Sequence, residues 1–533
     1  MFDFSKNSKS LWTAWFIVLT FFMFFIVFPL FCVVTAAKPA DFTAVLRSDV
    51  FHQAIKNTFF ECICSSVFAV FTGYVFAYAV VKGNIPFKKF FSFIPVLHIM
   101  TPPFVGGLAF ILLAGRQGLF TYQLFGLDVS LYGFKGLVIA QTLCFFPMAY
   151  LICLQSLSDI NQNLEDAARS LGAGNWKIFR TVTFPLSIPG IVSSLLFIAV
   201  NVLSDFGNPL IVAGRYRVLA VEIYTQLTGW LNIGTSAVLG ILLVIPSLIL
   251  FWIQNRLFRN VSAKITNRGK NVSPLASKTA TVFLTFFVSL VSFCVISQFA
   301  SIIAGSFQKL WGINRTFTLD HIKALGRYSG AIRNSLIFAL IAALLSSLIA
   351  SVTSYIVNRT NSPLRKTFDT LVQLPSAIPG TLLGLSLSAA STRLNLRASS
   401  FLIVISMTVS FMPFSYRVIT QSLSTIRKTL DDSAGSLGAN PFIVFSTVVC
   451  PLSAKGIFSG FLYDFIRGAG TLSAVIFLVS FNTPLASISI INLAEQGDWG
   501  KSCALASLLT LLSFIILGAG YGIVKFEKRR VRL

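Results

Sequence analysis

Long apolar runs, each of about 18 residues or more, recur from Leu11 almost to the end of this 533-residue chain. Inside a bilayer no water is available to hydrogen-bond the backbone, so a segment of this kind must close its own hydrogen bonds as a helix. At 1.5 Å per residue, about 20 residues span the ~30 Å hydrocarbon core. Hydrophobic residues make up 55% of the chain and charged ones 11%, against roughly 25% charged in soluble domains. A soluble helical core would need polar faces at a 3.6-residue period, and most of these runs have none. The chain is therefore expected to be an all-α polytopic membrane protein.

Twelve spans are expected, near 12–36, 58–81, 91–114, 134–155, 186–204, 233–255, 279–303, 335–357, 370–390, 399–420, 454–480 and 502–524. The first run, Leu11–Ala37, is too long for the roughly 7–15-residue core of a signal peptide and is expected to stay as a span. The net charge of +24 is ascribed to loops on one side of the membrane rather than to nucleic-acid binding. The junction "NRLFRNVSAKITNRGK" and the tail "KFEKRRVRL" contribute most to it, so both termini are expected in the cytoplasm. The eight cysteines lie mostly in apolar runs and behave as small hydrophobes.

The two halves are copies. Leu164–Ile191 aligns without gaps on Leu430–Ile457, with 15 of 28 positions identical at a shift of 266. Further upstream the shift is 277, pairing "AIKNT" (54–58) with "AIRNS" (331–335) and "NIPFKK" (84–89) with "NSPLRK" (361–366). The difference places an 11-residue insertion in the first half, within "AGRQGLFTYQLFGLDVSLYG". Six spans per half is an even number, so the repeats are parallel. The expected organisation is a first domain at 1–255, a polar linker at 256–278 and a second domain at 279–533.

The best-kept part of the repeat is the least apolar. "EDAARSLGAGNWKIFRTVTFPLS" (165–187) and "DDSAGSLGANPFIVFSTVVCPLS" (431–453) fall between the fourth and fifth spans of their halves. Leu164, Ala167, Ala168 and Leu171 share one helical face. Asn161 or Asn163 can cap that helix, with Glu165 and Asp166 in its first turn, where the dipole favours acids. Gly172 either ends the turn or lets another chain approach closely. Trp176 and Phe179 follow as an aromatic pair ahead of Pro185. Leu430, Ser433, Ala434, Leu437, Gly438, Phe442, Phe445 and Pro451 occupy the same positions in the second copy, after Asp431 and Asp432. A lone copy would suit an amphipathic helix lying on the membrane surface; two matched copies favour a docking helix.

The pattern Asp166-Ala167-Ala168, Gly172, Val182-x-Phe184-Pro185 resembles the EAA loop of binding-protein-dependent ABC importer permeases. Asp432-Ser433-Ala434, Gly438, Val448-x-Cys450-Pro451 is a second, weaker match. Asp stands for the usual Glu in both, and Ser433 for an Ala. The resemblance covers nearly the whole chain and implies a type I importer permease of MetI-like fold, made of two fused domains. It further implies that the loops around Glu165–Gly172 and Asp431–Gly438 seat in a dimer of ATP-binding cassette ATPases. The chain would then bind no cofactor, with ATP and Mg held by the partner. A periplasmic or extracellular substrate-binding protein would deliver cargo at a bacterial inner membrane. Ile443 and Ser446 stand where the first copy has Lys177 and Arg180, so the two ATPase contacts need not be equal. Fusion, "SDFGNPLIVAGRYRVLAVEIY" (204–224) and "GRQGLF" (115–120) resemble the ferric-iron branch; thiamine, phosphonate and sugar-phosphate permeases are close alternatives.

No complete phosphate-binding loop exists: "WGKS" (499–502) has Glu495 where GxxxxGK[ST] needs glycine. Asp498 and Lys501 are better placed at the mouth of the last span. His52, His98 and His321 are scattered without ligand spacing. Ionisable groups at membrane depth mark function by default. Candidates for the translocation path are Asp205, ahead of the break at Gly207 and Pro209, and Asp464 with Arg467, which at i,i+3 can also neutralise each other. Pro102 and Pro379, with their neighbouring prolines, should kink the third and ninth spans. A secondary transporter with parallel repeats is the alternative of a different class; it would need several midplane carboxylates, and few are present.

Overall fold

The computed structural model describes residues 9–99, 101–126, 131–262, 277–396 and 399–530. The first half runs through α1 (Lys9–Ala36), α2 (Asp49–Lys82), α3 (Lys88–Ile99), α4 (Pro103–Ala114), α5 (Phe134–Ser158), α6 (Gln162–Ser170), α7 (Phe184–Leu203), α8 (Gly207–Val212) and α9 (Ile233–Ser262). The second half runs through α10 (Lys278–Phe307), a hairpin of β1 (Gln308–Leu310) and β2 (Asn314–Phe317), then α11 (Ser329–Arg359), α12 (Arg365–Gln373) and α13 (Gly380–Arg393). It ends with α14 (Ser399–Ser424), α15 (Thr429–Ser436), α16 (Cys450–Ala469) and α17 (Trp499–Arg530). Among the described residues, 11 helices are long and apolar enough to cross a membrane, or 12 if one bent pair counts as a span. Residues 263–276 of the expected linker lie outside the described residues.

Several spans differ from their hydropathy limits. The expected kinks in the third and ninth spans are breaks. α3 ends at Ile99 and α4 begins after Pro102, while Arg365–Ala377 and Gly380–Arg393 meet at 108°. Pro102 and Pro379 precede the second segment with nearly the same backbone angles, φ −57° and −54°. A proline there supplies no N–H and holds its φ fixed, which suits the entry to a helix better than its interior. At the same repeat position, Phe87 and Leu364 both take positive φ, 51° and 59°. The eleventh span, expected at 454–480, ends at Ala469 and gives way to turns, and its helix begins earlier, at Pro441. The fifth likewise begins at Asn175 rather than 186. Both helices pass through a widened π turn, Phe179–Thr183 and Phe445–Val449. The turn lies just ahead of Pro185 and Pro451, whose rings would otherwise meet the carbonyl four residues back.

The chain packs as two compact units that do not coincide with the sequence halves 1–255 and 279–533. One comprises Val45–Glu222 with Leu242–Leu319, the other Met1–Ala44, Ile223–Ile241 and Asp320–Leu533. The halves thus trade their first spans. α10 lies in the first unit, with Val288 and Val295 fully buried in a cluster with Phe76 and Tyr150. α1 lies in the second: the Trp15 and Phe22 rings sit 5.5 Å and 6.1 Å from Phe368, and the Trp15 indole donates to the Pro363 carbonyl at 3.2 Å. Hydropathy shows that a span exists but not which neighbour it packs against, because every face of α1 is apolar.

Within the first unit, α2 crosses α5 at Gly73. A Cβ there would stand 2.6 Å from the Ala149 Cβ and 2.7 Å from the Tyr150 nitrogen. The second unit has the small, fully buried Ala350 at the matching place. Gly73→Val should therefore cost about 1–3 kcal/mol, read as a lower unfolding temperature in detergent. Gly106→Ala, whose Cβ would meet nothing within 4 Å, is the control and should not lower it.

Candidate coupling site

α6 starts at Asn161, whose side-chain oxygen accepts from the Asn163 N–H at 3.0 Å. Of the two asparagines, Asn161 is therefore the cap. The helix stops on two reversed bonds, Gly172 N–H to the Arg169 carbonyl (2.9 Å) and Ala173 N–H to the Ala168 carbonyl (3.0 Å). α15 stops in the same way, Gly438 to Gly435 (3.0 Å) and Ala439 to Ala434 (3.1 Å). This C-terminal motif needs a left-handed residue, and Gly172 and Gly438 supply it at φ +78° and +87°. A Cβ on either would meet nothing within 4 Å, so the backbone turn alone explains both glycines within the chain.

The faces of these helices are inverted. Leu171 and Leu437 are 88% and 89% exposed, and Leu164, Leu430, Trp176 and Phe442 are exposed with them. Ala167 and Ser433 lie on the outer side, Ala168 and Ala434 are half-buried, and Asp166 and Asp432 face out. The Asp166 carboxylate pairs with its neighbour Arg169 at 2.8 Å. Glu165 and Asp431, grouped with the docking residues on sequence grounds, turn inward and are buried. Successive residues on a helix point about 100° apart, which separates each acid from the next.

Each inward acid is paired with the last residue of the second span of its half. Lys82 reaches Glu165 at 2.6 Å and Arg359 reaches Asp431 at 3.0 Å, with all four side chains buried. Glu165 also accepts from the Thr183 hydroxyl at 2.8 Å, inside the π turn. Asp431 has no such hydroxyl, because Val449 stands there, and its Oδ1 has no hydrogen-bond partner among the described residues. Arg359 instead donates to the carbonyls of Leu423 and Ile426, the latter at 2.8 Å, at the C-terminal end of α14. Burial pushes the Asp431 carboxyl above its ordinary range, and the Arg359 guanidinium pulls it back. Sequence reasoning passed over Lys82 and Arg359, although the 277-residue shift superimposes them just ahead of "NIPFKK" and "NSPLRK".

The candidate path residues are divided between the two units. Asp205 is buried in the first unit, accepting from Gln141 (3.1 Å) and Asn208 (2.9 Å). Glu61, which the sequence reading overlooked, shares Gln141. A Cβ on Gly207 would lie 2.9 Å from that of Phe104, which sets this loop against the entry to α4 behind Pro102. Asp464 belongs to the other unit, as do Arg467 and Pro379. The expected Asp464–Arg467 pairing is not formed. The carboxylate accepts from Ser415 at 2.6 Å and from Ser346, while Arg467 bonds to Tyr463. α16 lies against α11 and α14, so the acid meets two short hydroxyls before a side chain one turn along its own helix. Asp498 pairs with Lys501 at the start of α17. His98 is buried against Phe146 and Phe299. Among the described residues no group of three or more His, Cys, Asp or Glu is set to hold a metal ion.

The left-handed glycine gives a direct test. Gly172→Ala should cost about 1 kcal/mol locally, giving severalfold faster trypsin cleavage at the exposed Arg169 and Lys177. Gly172→Asn, a residue that tolerates this conformation, should stay near the wild-type rate.

The family model described as "binding-protein-dependent transport system inner membrane component" matches residues 65–263 and again 335–532. The chain is 31% identical over 528 residues to the ferric transport system permease protein of Actinobacillus pleuropneumoniae, covering 94% of this chain and 76% of that one. It is also 31% identical over 497 residues to a putative ferric transport system permease protein of Haemophilus influenzae, covering 87% and 77%. A molybdenum transport system permease protein of Escherichia coli matches over 188 residues at 28%, which is 34% of this chain and 82% of that protein. Two matched domains in one chain are the repeat seen in the sequence, and the chain belongs to the binding-protein-dependent transport system inner membrane components, as a fused two-domain permease of an ABC importer.

Proposed function

We propose that this permease carries ferric iron and that α6 and α15 are the seats of its two ATPase subunits. The observation that carries the docking assignment is the outward placement of Leu171 and Leu437, 88% and 89% exposed at one repeat position. A large apolar residue beside a rigid turn, with an acid on the same outer surface, is the kind of anchor that a groove on a partner takes up. Asp166, Ala167, Ala168, Gly172, Asp432, Ser433, Ala434 and Gly438 would complete the two seats. ATP and Mg belong to the partner, an ATP-binding cassette dimer. Closure of that dimer would move the two seats and turn the permease between inward-open and outward-open forms.

Ferric iron rests on the relatives named for ferric transport over most of the chain. The ion is cargo, handed over by a substrate-binding protein outside a bacterial inner membrane. The basic loops and tail support a topology with both termini on the cytoplasmic side, with the ATPase. Asp205, Asp464 and Arg467 remain candidates for the path, with Pro102 and Pro379 shaping it.

Leu171→Asp combined with Leu437→Asp should release the ATPase from purified permease while leaving it in the membrane. Retained ATPase at wild-type levels would remove the docking assignment. Deleting the permease should abolish uptake of radiolabelled ferric ion, and unchanged uptake would remove iron as the cargo.

A further inference from the structure

The repeat motifs "AIKNT" and "AIRNS" have so far been only markers of duplication, yet they sit at the outer ends of α2 and α11 and hold something there. The Thr58 hydroxyl accepts from the Leu219 N–H at 2.9 Å, and the Asn57 side chain donates to the Arg217 carbonyl at 2.9 Å. In the second half the Ser335 hydroxyl accepts from the Ala486 N–H at 2.9 Å, and Asn334 donates to the Pro484 carbonyl at 3.2 Å. The segments held are the loops that follow the fifth and eleventh spans, on the outer side. The inner ends of the same two helices are the Lys82–Glu165 and Arg359–Asp431 pairs. Between its pins, Thr58 and Lys82, α2 is continuous helix about 36 Å long. α11 is likewise continuous from Ser335 to Arg359.

We propose that α2 and α11 are push-rods, each pinned to a coupling helix at its inner end and to an outer loop at its outer end. This rests on the importer assignment above. An α-helix is stiff along its axis, because shortening it would break its hydrogen bonds, so displacement of α6 or α15 is delivered to residues 217–219 or 484–486. The pins are built to hold. Each inner one is a buried ion pair, and loss of either charge strands the other away from water. Each outer one uses a backbone N–H that has no helical partner at that point, so it is met by a side chain of fixed reach. Lys82, Arg359, Thr58 and Ser335 are thus positioning residues for transport, remote from the cargo. The halves differ at the inner pin: Glu165 is also tied to the fifth span through Thr183, whereas Arg359 is also tied to the fourth span of its half through two carbonyls.

The test is a double-mutant cycle in proteoliposomes holding the full chain, its ATPase and its binding protein loaded with radiolabelled ferric ion. Lys82→Met breaks the inner pin and Thr58→Val the outer one. Each should leave ATPase capture unchanged and raise the ATP hydrolysed per ion delivered by about tenfold, within the range of coupling effects along packed networks. A rod released at one end transmits nothing, so the double variant should be no worse than either single one. A ratio near wild type in either single variant, or effects that multiply in the double, would overturn the proposal. Should Lys82→Met not accumulate, the cycle is run on the other rod under the same criteria, with Arg359→Met at its inner pin and Ser335→Ala at its outer one. A spin label at exposed Arg215 reads the rod whatever the cargo. Its ATP-driven displacement should vanish in Lys82→Met, and persistence would overturn the rod. Displacement without any iron uptake in wild type would instead remove iron and leave the rod standing.

Discussion

A carboxylate buried beside a single cation, at one end of a membrane-spanning helix, is the contact on which the arrangement of each half depends. Taking both charges out of water costs several kcal/mol per ion, and their attraction offsets this only where geometry and further hydrogen bonds are good. Lys82–Glu165 meets that condition with the Thr183 hydroxyl, and Arg359–Asp431 with two helix-end carbonyls. Because the acid is committed inward, the opposite side of the coupling helix is left to leucine. Part of the usual amphipathic order is reversed, with one acid of each neighbouring pair inside and leucine outside.

How much of this was readable without coordinates follows from what each residue type reports. Long apolar runs give helices that span, and a 266-residue recurrence gives two copies, because both are properties of one-dimensional order. The two polar loops were equally legible, since glycine after a helix, and in the first copy an asparagine before it, are local signals. What the sequence could not divide was Glu165 from Asp166, or Asp431 from Asp432. Neighbouring acids look alike until the helix has a direction to face. Lys82 and Arg359 read as loop charge, and only the alignment of the halves would have singled them out. Asp464 and Arg467 looked like partners because i,i+3 spacing permits contact, but serines on two other helices are nearer. Hydropathy also misplaced the ends of spans that run through polar residues, as at Asn175 and Pro441.

The two halves agree in design and differ in detail. Both have the reversed helix stop, the π turn, the break behind a proline and the pair of outer bonds to a loop. They differ where one residue changes what its partner must do. Among the described residues, Val449 in place of Thr183 leaves one Asp431 oxygen without a hydrogen-bond partner, and the larger guanidinium of Arg359 takes up other acceptors than Lys82 can reach. The buried acids at membrane depth differ too. The first unit links Glu61 and Asp205 through Gln141, and the second isolates Asp464 between two serines. Duplication preserved these shared features while the interiors diverged.

The exchange of first spans bears on how the molecule is made. α1 leaves the ribosome long before the carbonyl that receives its Trp15, which lies 348 residues later. At a synthesis rate of about 5–20 residues per second, that interval is roughly 20–70 s. During that time α1 has only lipid, and whatever spans are already inserted, to lie against. Its phenylalanine-rich surface, apolar on all sides, is suited to waiting in a bilayer in a way that a half-polar helix would not be. α10 has no such delay, since its seat on the first unit is already built when it emerges.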